Sequence, residues 1–492
     1  MERNRTRDTT DPAAPRTWSE MVARRVGGRD AAVIHPDGSS WTLDEVLARA
    51  AGAADWLDAI GAPPGVPVPA LVSSTIPAFA LLFAGAGSGR PLAPLSARFV
   101  LDDVAACVAG LGSEVLVAQR DAAAVADAVA ARTNARVAVV PEEFLPSRRS
   151  LDMDPDPEDV LVVIHTSGTT GRPKPVYQTQ GPMVDRVARS AGPIELGPGC
   201  RYATASAFHH QAGAGLFIVA MGAGATLVPL PHFSPDTWKA LESLGPTHAT
   251  VVPALMETLL GAGVLDLPSL RFVQYGSSPI HPDTLRRLVV QHPSIRLVQQ
   301  FGQTEGSPIT TFDHAMHLEA IAQAPHRLRS VGRPIAGTEL RIEDADNDGV
   351  GEICSRASHY FAPDPDGWLR TGDLGCTDDD GFVYIRGRQH DVINRGGDKI
   401  YPVEVEQVLA THPDVADVAV VGVSDRRLGQ VPHAFVVPAP EATPNADELA
   451  AFARERLTGF KVPRDWHFVD ELPRSPANKV LRRMLVPPDT AT

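Results

Sequence analysis

The sequence predicts an α/β protein, with a large N-terminal α/β domain of layered sheets and helices and a small C-terminal α+β domain. Three observations predict it. From about Trp18 to Leu151, Ala/Leu/Val-rich helical stretches alternate with short Val-rich runs, the pattern of a layered sheet covered by helices. Further along, three apolar runs each empty into a Gly/Ser/Thr turn, as strands of an open sheet do where they build a crevice at their ends. Beyond Gln389 the texture changes to a unit of about a hundred residues, large enough to fold separately. A chain of 492 residues also exceeds what one hydrophobic core usually serves. The expected domains are 1–389 and 390–492.

Composition narrows the function. With 43% hydrophobic and 21% charged residues the chain is an ordinary globular one. Its net charge of −14, with no long basic run, argues against nucleic acid as the main partner. The four cysteines, Cys107, Cys200, Cys354 and Cys376, form no CxxC pair, so neither a zinc site nor a disulfide framework is suggested. The polar start, Met1 to Thr17, lacks the apolar run of a signal peptide, and the apolar runs Leu216 to Leu230 and Pro69 to Ser88 are short or interrupted. These features lead us to expect a soluble cytoplasmic protein without a membrane partner.

In chain order, Leu43 to Ala50 reads as a helix behind a threonine cap and Glu114 to Ala118 as a strand. Val162-Val163-Ile164 reads as a short buried strand that empties into His165-Thr166-Ser167-Gly168-Thr169-Thr170-Gly171-Arg172-Pro173-Lys174. Glycines let backbone N–H groups face an anion, the hydroxyls add donors and Lys174 adds a cation, which is the chemistry of a phosphate loop. A Walker loop needs Gly-Lys-Ser/Thr running into a helix, and Pro173 and Pro175 bracket the lysine instead. A plain polar turn is the alternative.

In Phe208-His209-His210-Gln211, adjacent histidines suit either a pocket lining or a structural role. Leu270 to Tyr275 is strand-like and ends in Gly276-Ser277-Ser278-Pro279; Arg296 to Gln300 ends in Phe301-Gly302-Gln303-Thr304-Glu305-Gly306. There the Glu305 carboxylate is placed to hold Mg²⁺ against a phosphate. Asp344 to Gly349 opens like a calcium loop, but position 355, where its closing glutamate belongs, is Ser355, so an exposed hairpin turn is expected. Asp373, beside a glycine at a strand end, suits two hydrogen bonds from ribose hydroxyls. Phe382 to Ile385 reads as a strand. After Gln389, Val403 to Leu409 and Ala446 to Leu457 read as helices and Ala416 to Val423 and His433 to Val437 as strands. Leu472 to Arg483 reads as a turn carrying Lys479 into a basic helix start; alone, that lysine would be an ordinary solvated one.

In this order, from about Trp18 to Leu485, these stretches resemble the adenylate-forming superfamily, which includes acyl- and aryl-CoA synthetases, adenylation domains of nonribosomal synthetases and beetle luciferases. The resemblance implies that Thr166, Ser167, Gly168, Thr169, Thr170, Gly171 and Lys174 clamp the β,γ-phosphates of ATP. It implies that Gly276, Ser277, Ser278 and Pro279 form the adenine-side turn and that Phe301 and Gly302 lie against adenine. Thr304 is implied near the α-phosphate, Glu305 on Mg²⁺, Asp373 and Arg388 on ribose, and Asp391 at the hinge of a mobile C-terminal domain. Lys479 is implied as the catalytic lysine, and Gly396 and Gly397 as the place where a pantetheine arm passes the backbone.

Amino-acid-activating relatives usually carry an aspartate in the segment that reads Ala207 to Gln211 here, and this chain has no acid there. The resemblance therefore implies activation of a small-molecule partner, an organic, non-amino carboxylic acid, with His210 as the gate beside its carboxylate and His209 as the alternative. The implied acceptor is CoA, with a carrier-protein phosphopantetheine as the nearest rival, in a monomer or homodimer. Loading of another nucleophile, or adenylate binding without turnover, are the rival readings. Two positions depart from the family pattern: Pro175 follows Lys174, and Asn478 precedes Lys479.

Overall fold

The computed structural model describes residues 14–167, 173–474 and 480–487. The N-terminal stretch through Ala13, the loop residues Gly168 to Gly171, and Asn478 and Lys479 lie outside the described residues. Strands β1 (Ala31–Ile34) and β2 (Ser40–Thr42) precede a six-stranded sheet made of β3 (Val68–Leu71), β4 (Leu92–Leu95), β5 (Val115–Ala118), β6 (Arg136–Val139), β7 (Val160–Ser167) and β8 (Pro173–Thr179). Its order is β6-β5-β3-β4-β7-β8. Every residue of β3, β4 and β5 is buried, as uninterrupted apolar runs must be where helices cover both faces of a parallel sheet. Thr42 and Glu45 close a capping box on the helix Leu43–Ala59, which packs against the apolar helix Ile76–Gly87.

A nine-stranded sheet follows from β9 (Arg201–Thr204), β10 (Thr226–Leu227), β11 (His248–Thr250), β12 (Phe272–Gly276), β13 (Arg296–Gln303), β14 (Gly306–Phe312) and β15 (Arg333–Pro334) together with β1 and β2. One apolar cluster joins the two sheets: it contains Val68, Leu92 and Val162 from the first, Val33, Tyr202 and Val298 from the second, and Phe79 and Phe217 from helices between them. The sequence led us to expect one open sheet at the crevice. Instead β7 belongs to the six-stranded sheet and β12 and β13 to the nine-stranded one, so the loop ends come from two sheets. Nothing in an isolated apolar run says which sheet it will join.

Four antiparallel strands come next: β16 (Glu339–Glu343), β17 (Gly351–Arg356), β18 (Leu369–Thr377) and β19 (Val383–Arg388). The Asp344 to Gly349 segment is the β16–β17 turn, with Asp346 accepting from the Asp348 and Val350 N–H groups. Asp373 lies within β18 rather than at a strand end, because β18 runs on to Thr377. After the short turn Gln389–Asp391, the last sheet contains β20 (Ile393–Arg395), β21 (Asp398–Ile400), β22 (Val415–Asp425), β23 (Gly429–Pro438) and β24 (Asp465–Phe468). Helices Pro402–Leu409 and Ala446–Arg454 bury Val405, Leu409, Leu449 and Ala453 on Val418, Val420 and Val436. The second helix stops short of Leu457, and the expected basic helix start is a single tight turn, Arg482–Met484. All four cysteines are free, and no helix among the described residues is long and apolar enough to cross a membrane.

Four histidines sit inside these layers as neutral rings. The backbone carbonyl of Asp313 can only accept, so His317 Nδ1 donates to it at 2.6 Å, which leaves Nε2 to accept from the Tyr275 hydroxyl at 2.7 Å. Burial pushes His317 and His359 down to about 3 and His165 to about 4, and holds His209 well below its ordinary value. The unfolded chain protonates these rings below about pH 6.5 while the folded protein does not. Their contribution to stability is therefore full above that pH and is lost as pH falls, by ~1.4 kcal/mol per histidine per pH unit. Urea unfolding at several pH values between 6.5 and 4.5 should show a His317→Asn variant with a shallower slope by about one proton. An unchanged slope would mean that His317 is charged in the folded state.

Candidate active site

The centre of the site is a two-residue turn. Antiparallel pairing of β13 with β14 places Gln303 opposite Gly306, leaving only Thr304 and Glu305 to reverse the chain. The expected turn from Phe301 to Gly306 is thus shorter, because Phe301, Gly302 and Gln303 extend β13. Gly302 is required by close approach: a Cβ there would meet the Gly306 oxygen and the Ser307 Cα at 2.9 Å. The Phe361 N–H donates to the Glu305 carbonyl at 2.8 Å. Buried Gln178 on β8 donates to the Thr304 carbonyl at 3.4 Å and also to Gln211 Oε1, tying the two sheets together across the crevice.

Beside this turn Gln178 Oε1, Gln211 Nε2 and Gln303 Nε2 are buried without partners among the described residues, as are His165 Nδ1 on β7 and Ser206 Oγ and His209 Nε2 after β9. Buried polar atoms are nearly always paired, so the three orphans beside the turn suit a polar ligand. Glu305 is half-buried and makes no side-chain hydrogen bond or ion pair among the described residues. A free carboxylate oxygen of this kind fits a hard cation such as Mg²⁺.

Next to this turn, β12 runs parallel to β13 with Gly276 opposite Gln300, where a Cβ would meet the Gln300 oxygen at 2.4 Å. Ser277 then takes the left-handed φ of 69°, a strain of about 1–2 kcal/mol for a residue with a Cβ. Ser278 is half-buried and Pro279 exposed. The Phe301 ring packs against Ile309, Tyr360 and Leu369.

Asp373 and Arg388 are brought together by the β18–β19 register, and Arg388 Nε donates to Asp373 Oδ1 at 2.7 Å. Asp373 is 6% exposed, and its N–H donates to Thr371 Oγ1, which in turn donates to the Ile353 carbonyl at 2.7 Å. On the phosphate side, β7 reaches Ser167 and β8 starts at Pro173, so Lys174 lies in a strand, opposite Thr166, rather than in the loop. Its side chain is exposed and has no ion pair among the described residues. Because β8 is the sheet edge, Pro173 and Pro175 interrupt no further ladder.

The two adjacent histidines separate. His209 is 7% exposed, with its ring edge-on to Phe99 at 5.2 Å. Burial first, then the charges of His210 and Arg98, keep it neutral. His210 is half-buried and precedes the π-helical turn Gln211–Gly215, a wide turn frequent at functional sites. Gly213 permits that turn, since a Cβ would meet the Ala207 oxygen at 2.1 Å.

Gly396 and Gly397 form the exposed two-residue turn between β20 and β21, at φ of 62° and 103°, with open space beside Gly397. Arg474 pairs with Val480, and the Leu481 N–H donates to the Pro473 carbonyl at 2.8 Å, so both ends of the segment that contains Lys479 are pinned. Arg482 then donates to both Glu406 oxygens at 2.7 and 2.8 Å and contacts Asp391 Oδ2 at 3.3 Å. Burial raises the Glu406 pKa against the pull of Arg482.

Sequence reasoning missed Gln178, Gln211, the Arg482–Glu406 pair and Arg186. The legible signal was a polar residue on an apolar face: Gln178 alternates with Val176 on the buried side of β8, and Arg186 falls among Met183, Val187 and Ser190 in the helix Gln180–Ala191.

The family model described as AMP-binding enzyme matches residues 20–362, and the AMP-binding enzyme C-terminal domain matches residues 404–479. A fatty acid–[acyl-carrier-protein] ligase of Streptomyces coeruleorubidus is 31% identical over 490 residues, covering 91% of this chain and 92% of that protein. Among solved structures, an amide bond synthetase from Marinactinospora thermotolerans superposes with a TM-score of 0.81 at 29% identity, covering 95% of this chain and 98% of the other. The o-succinylbenzoate coenzyme A synthetase of Bacillus subtilis, solved with ATP and magnesium ion, gives a TM-score of 0.83 at 26% identity, over 95% and 99% of the two chains.

The Arg482–Glu406 contact gives a stability prediction. Arg482→Met should destabilise the protein by about 3 kcal/mol in denaturant unfolding, because it strands a carboxylate that is 15% exposed. Adding Glu406→Gln should recover most of that loss. Equal destabilisation by single and double variants would contradict the pairing.

Proposed function

We propose, from the premise that this chain belongs to the AMP-binding enzyme family of adenylate-forming ligases, that it activates an organic acid without an α-amino group and transfers the acyl group to the thiol of CoA. ATP-dependent activation of a carboxylic acid by an AMP-forming ligase is the chemistry of the family. The observation that carries the choice of acid is the segment from Ala207 to Gln211, which offers a neutral buried His209 and a half-buried His210 but no carboxylate for an ammonium group.

The obstacle is an anion attacking an anion, so catalysis consists largely of positioning and charge compensation. An oxygen of the acid attacks the α-phosphorus; the new P–O bond forms as the α–β anhydride bond breaks, and pyrophosphate leaves. Lys479 bridges the carboxylate and α-phosphate, Thr304 lies beside the latter, and Lys174 with Thr166, Ser167, Thr169, Thr170 and the N–H groups of Gly168 and Gly171 holds the departing pyrophosphate. Glu305 is the residue that would hold Mg²⁺, whose charge would offset that of the phosphate oxygens. Asp373 and Arg388 hold ribose, while Gly276 to Pro279, Phe301 and Gly302 enclose adenine. In the second half-reaction the thiol gives up its proton and attacks the acyl carbon, and the acyl–O bond breaks to release AMP.

Domain 390–492 turns about Asp391 between the two steps, and Gly396 and Gly397 leave room for the pantetheine arm. The four free cysteines suit a reducing, cytoplasmic compartment. Transfer to a carrier-protein thiol or an amine is the second reading, favoured by the likeness over nearly the whole chain to the carrier-protein ligase and the amide bond synthetase.

Lys479→Ala should abolish acid-dependent pyrophosphate release yet spare thioester formation from a supplied acyl-adenylate; equal loss in both half-reactions would remove the lysine from adenylation. Glu305→Gln should lower the adenylation rate by on the order of 10²–10³ and shift its Mg²⁺ dependence upward. Running the same assay with CoA, a phosphopantetheinylated carrier and simple amines identifies the acceptor. CoA turnover far above the other two is the expected outcome, and preference for either rival would replace it.

A further inference from the structure

Arg186 is 1% exposed and has no ion pair among the described residues. Its Nε and Nη1 are buried without a hydrogen-bond partner, and burial alone displaces its pKa, down to about 9. The adjacent acid is engaged elsewhere, since Asp185 accepts from the Ser358 hydroxyl. A buried guanidinium with neither a counter-charge nor a full set of acceptors is costly, and natural proteins rarely retain one unless something supplies the anion.

Its surroundings say where that anion would lie. Val187 faces the helix Leu216–Ala223, where it would clash with a Cβ on Gly222. One helical turn from Arg186, the Ser190 carbonyl accepts from Gln300 of β13 at 3.2 Å, so Arg186 lies on the line facing β13 and β14. The guanidinium stands 5.4 Å from the centre of the Phe361 ring, and the Phe361 N–H is the group bonded to the Glu305 carbonyl. His359, bonded to the Pro308 carbonyl, is neutral and close enough to feel the positive charge of Arg186. The cation therefore sits behind the turn that carries Thr304 and Glu305. Along its own helix it lies roughly 9 Å from Gln180, which directly follows the strand bearing Gln178, the residue bonded to Thr304.

We propose that Arg186 anchors a second, anionic subsite behind the Thr304–Glu305 turn, and that the substrate is a dicarboxylic acid whose remote carboxylate pairs with this guanidinium while the near one is adenylated. The assignment rests on the adenylating function proposed above. It explains how an unpaired buried cation is tolerated: the substrate completes it, and a bidentate carboxylate matches the fork of Nε and Nη donors.

The test compares wild type with Arg186→Met and Arg186→Lys in two assays. In acid-dependent ATP–pyrophosphate exchange, a series of α,ω- and aryl dicarboxylic acids is set against monocarboxylic acids of matched length. Wild type should show a KM at least about tenfold lower for the best diacid than for its monoacid, and Arg186→Met should erase that difference with kcat for the monoacid within about twofold. Arg186→Lys should recover part of it. Thermal melting reads the subsite without ATP: the best diacid should raise the melting temperature of wild type and not that of Arg186→Met, whose ligand-free melting temperature should be equal or higher. Equal use of monoacids and diacids by wild type, or loss of both alike in Arg186→Met, would overturn the subsite while leaving adenylation intact. Absence of exchange with every acid would count against adenylation itself; the subsite would then stand or fall on whether diacids shift the melting of wild type.

Discussion

The turn at Thr304 and Glu305 is the constraint on which the rest of the site depends. Two residues reverse the chain between β13 and β14, so the Thr304 side chain and the Glu305 carboxylate are held at the end of a paired ladder rather than on a free loop. Gly302 is demanded by the closeness of the returning strand. Gln178 then fixes the distance from this turn to the phosphate side, because its amide bonds the Thr304 carbonyl from a strand of the other sheet. Groups that must act together on one substrate are thus set by strand pairing and by a shared core.

Electrostatics supplies the second constraint. The chain carries a net charge of −14, yet the candidate site is provided with cations: Lys174 is unpaired among the described residues and Arg388 is joined to Asp373. A site for anionic reactants is arranged so that charge compensation is in place before they arrive. The resulting cost appears as orphaned polar atoms and as the left-handed Ser277, features that weaken the ligand-free protein and that a bound polar ligand can offset.

The fold class was legible in the sequence, and so were the segments that the structure brings to the candidate site. The Leu43–Ala59 helix announces itself through Thr42 and Glu45, strand β5 through an uninterrupted apolar run, and β12 and β13 through short apolar runs broken by Gln274 and ended by Gln299. Pairing was not legible. Asp373 and Arg388 are fifteen positions apart, and only the β18–β19 register makes them partners. The extension of β13 to Gln303 was hidden because a polar stretch rich in Gly and Gln reads as a turn, although pairing with β14 keeps it extended. The two histidines could not be told apart locally, since only the fold places Phe99 against His209. Pro175 departs from the family pattern, and its place on the edge strand β8 was not legible either; there the missing donor interrupts no ladder beyond the one with β7.

The proposed mechanism requires the carboxylate of the acid to attack the α-phosphorus of ATP. The direct measurement uses an acid that supports turnover, labelled with oxygen-18 in its carboxyl group, followed by mass analysis of the nucleotide product. Attack at the α-phosphorus followed by acyl transfer predicts AMP carrying one labelled oxygen and unlabelled pyrophosphate. Unlabelled ADP together with labelled inorganic phosphate would place the attack at the γ-phosphorus and contradict the account.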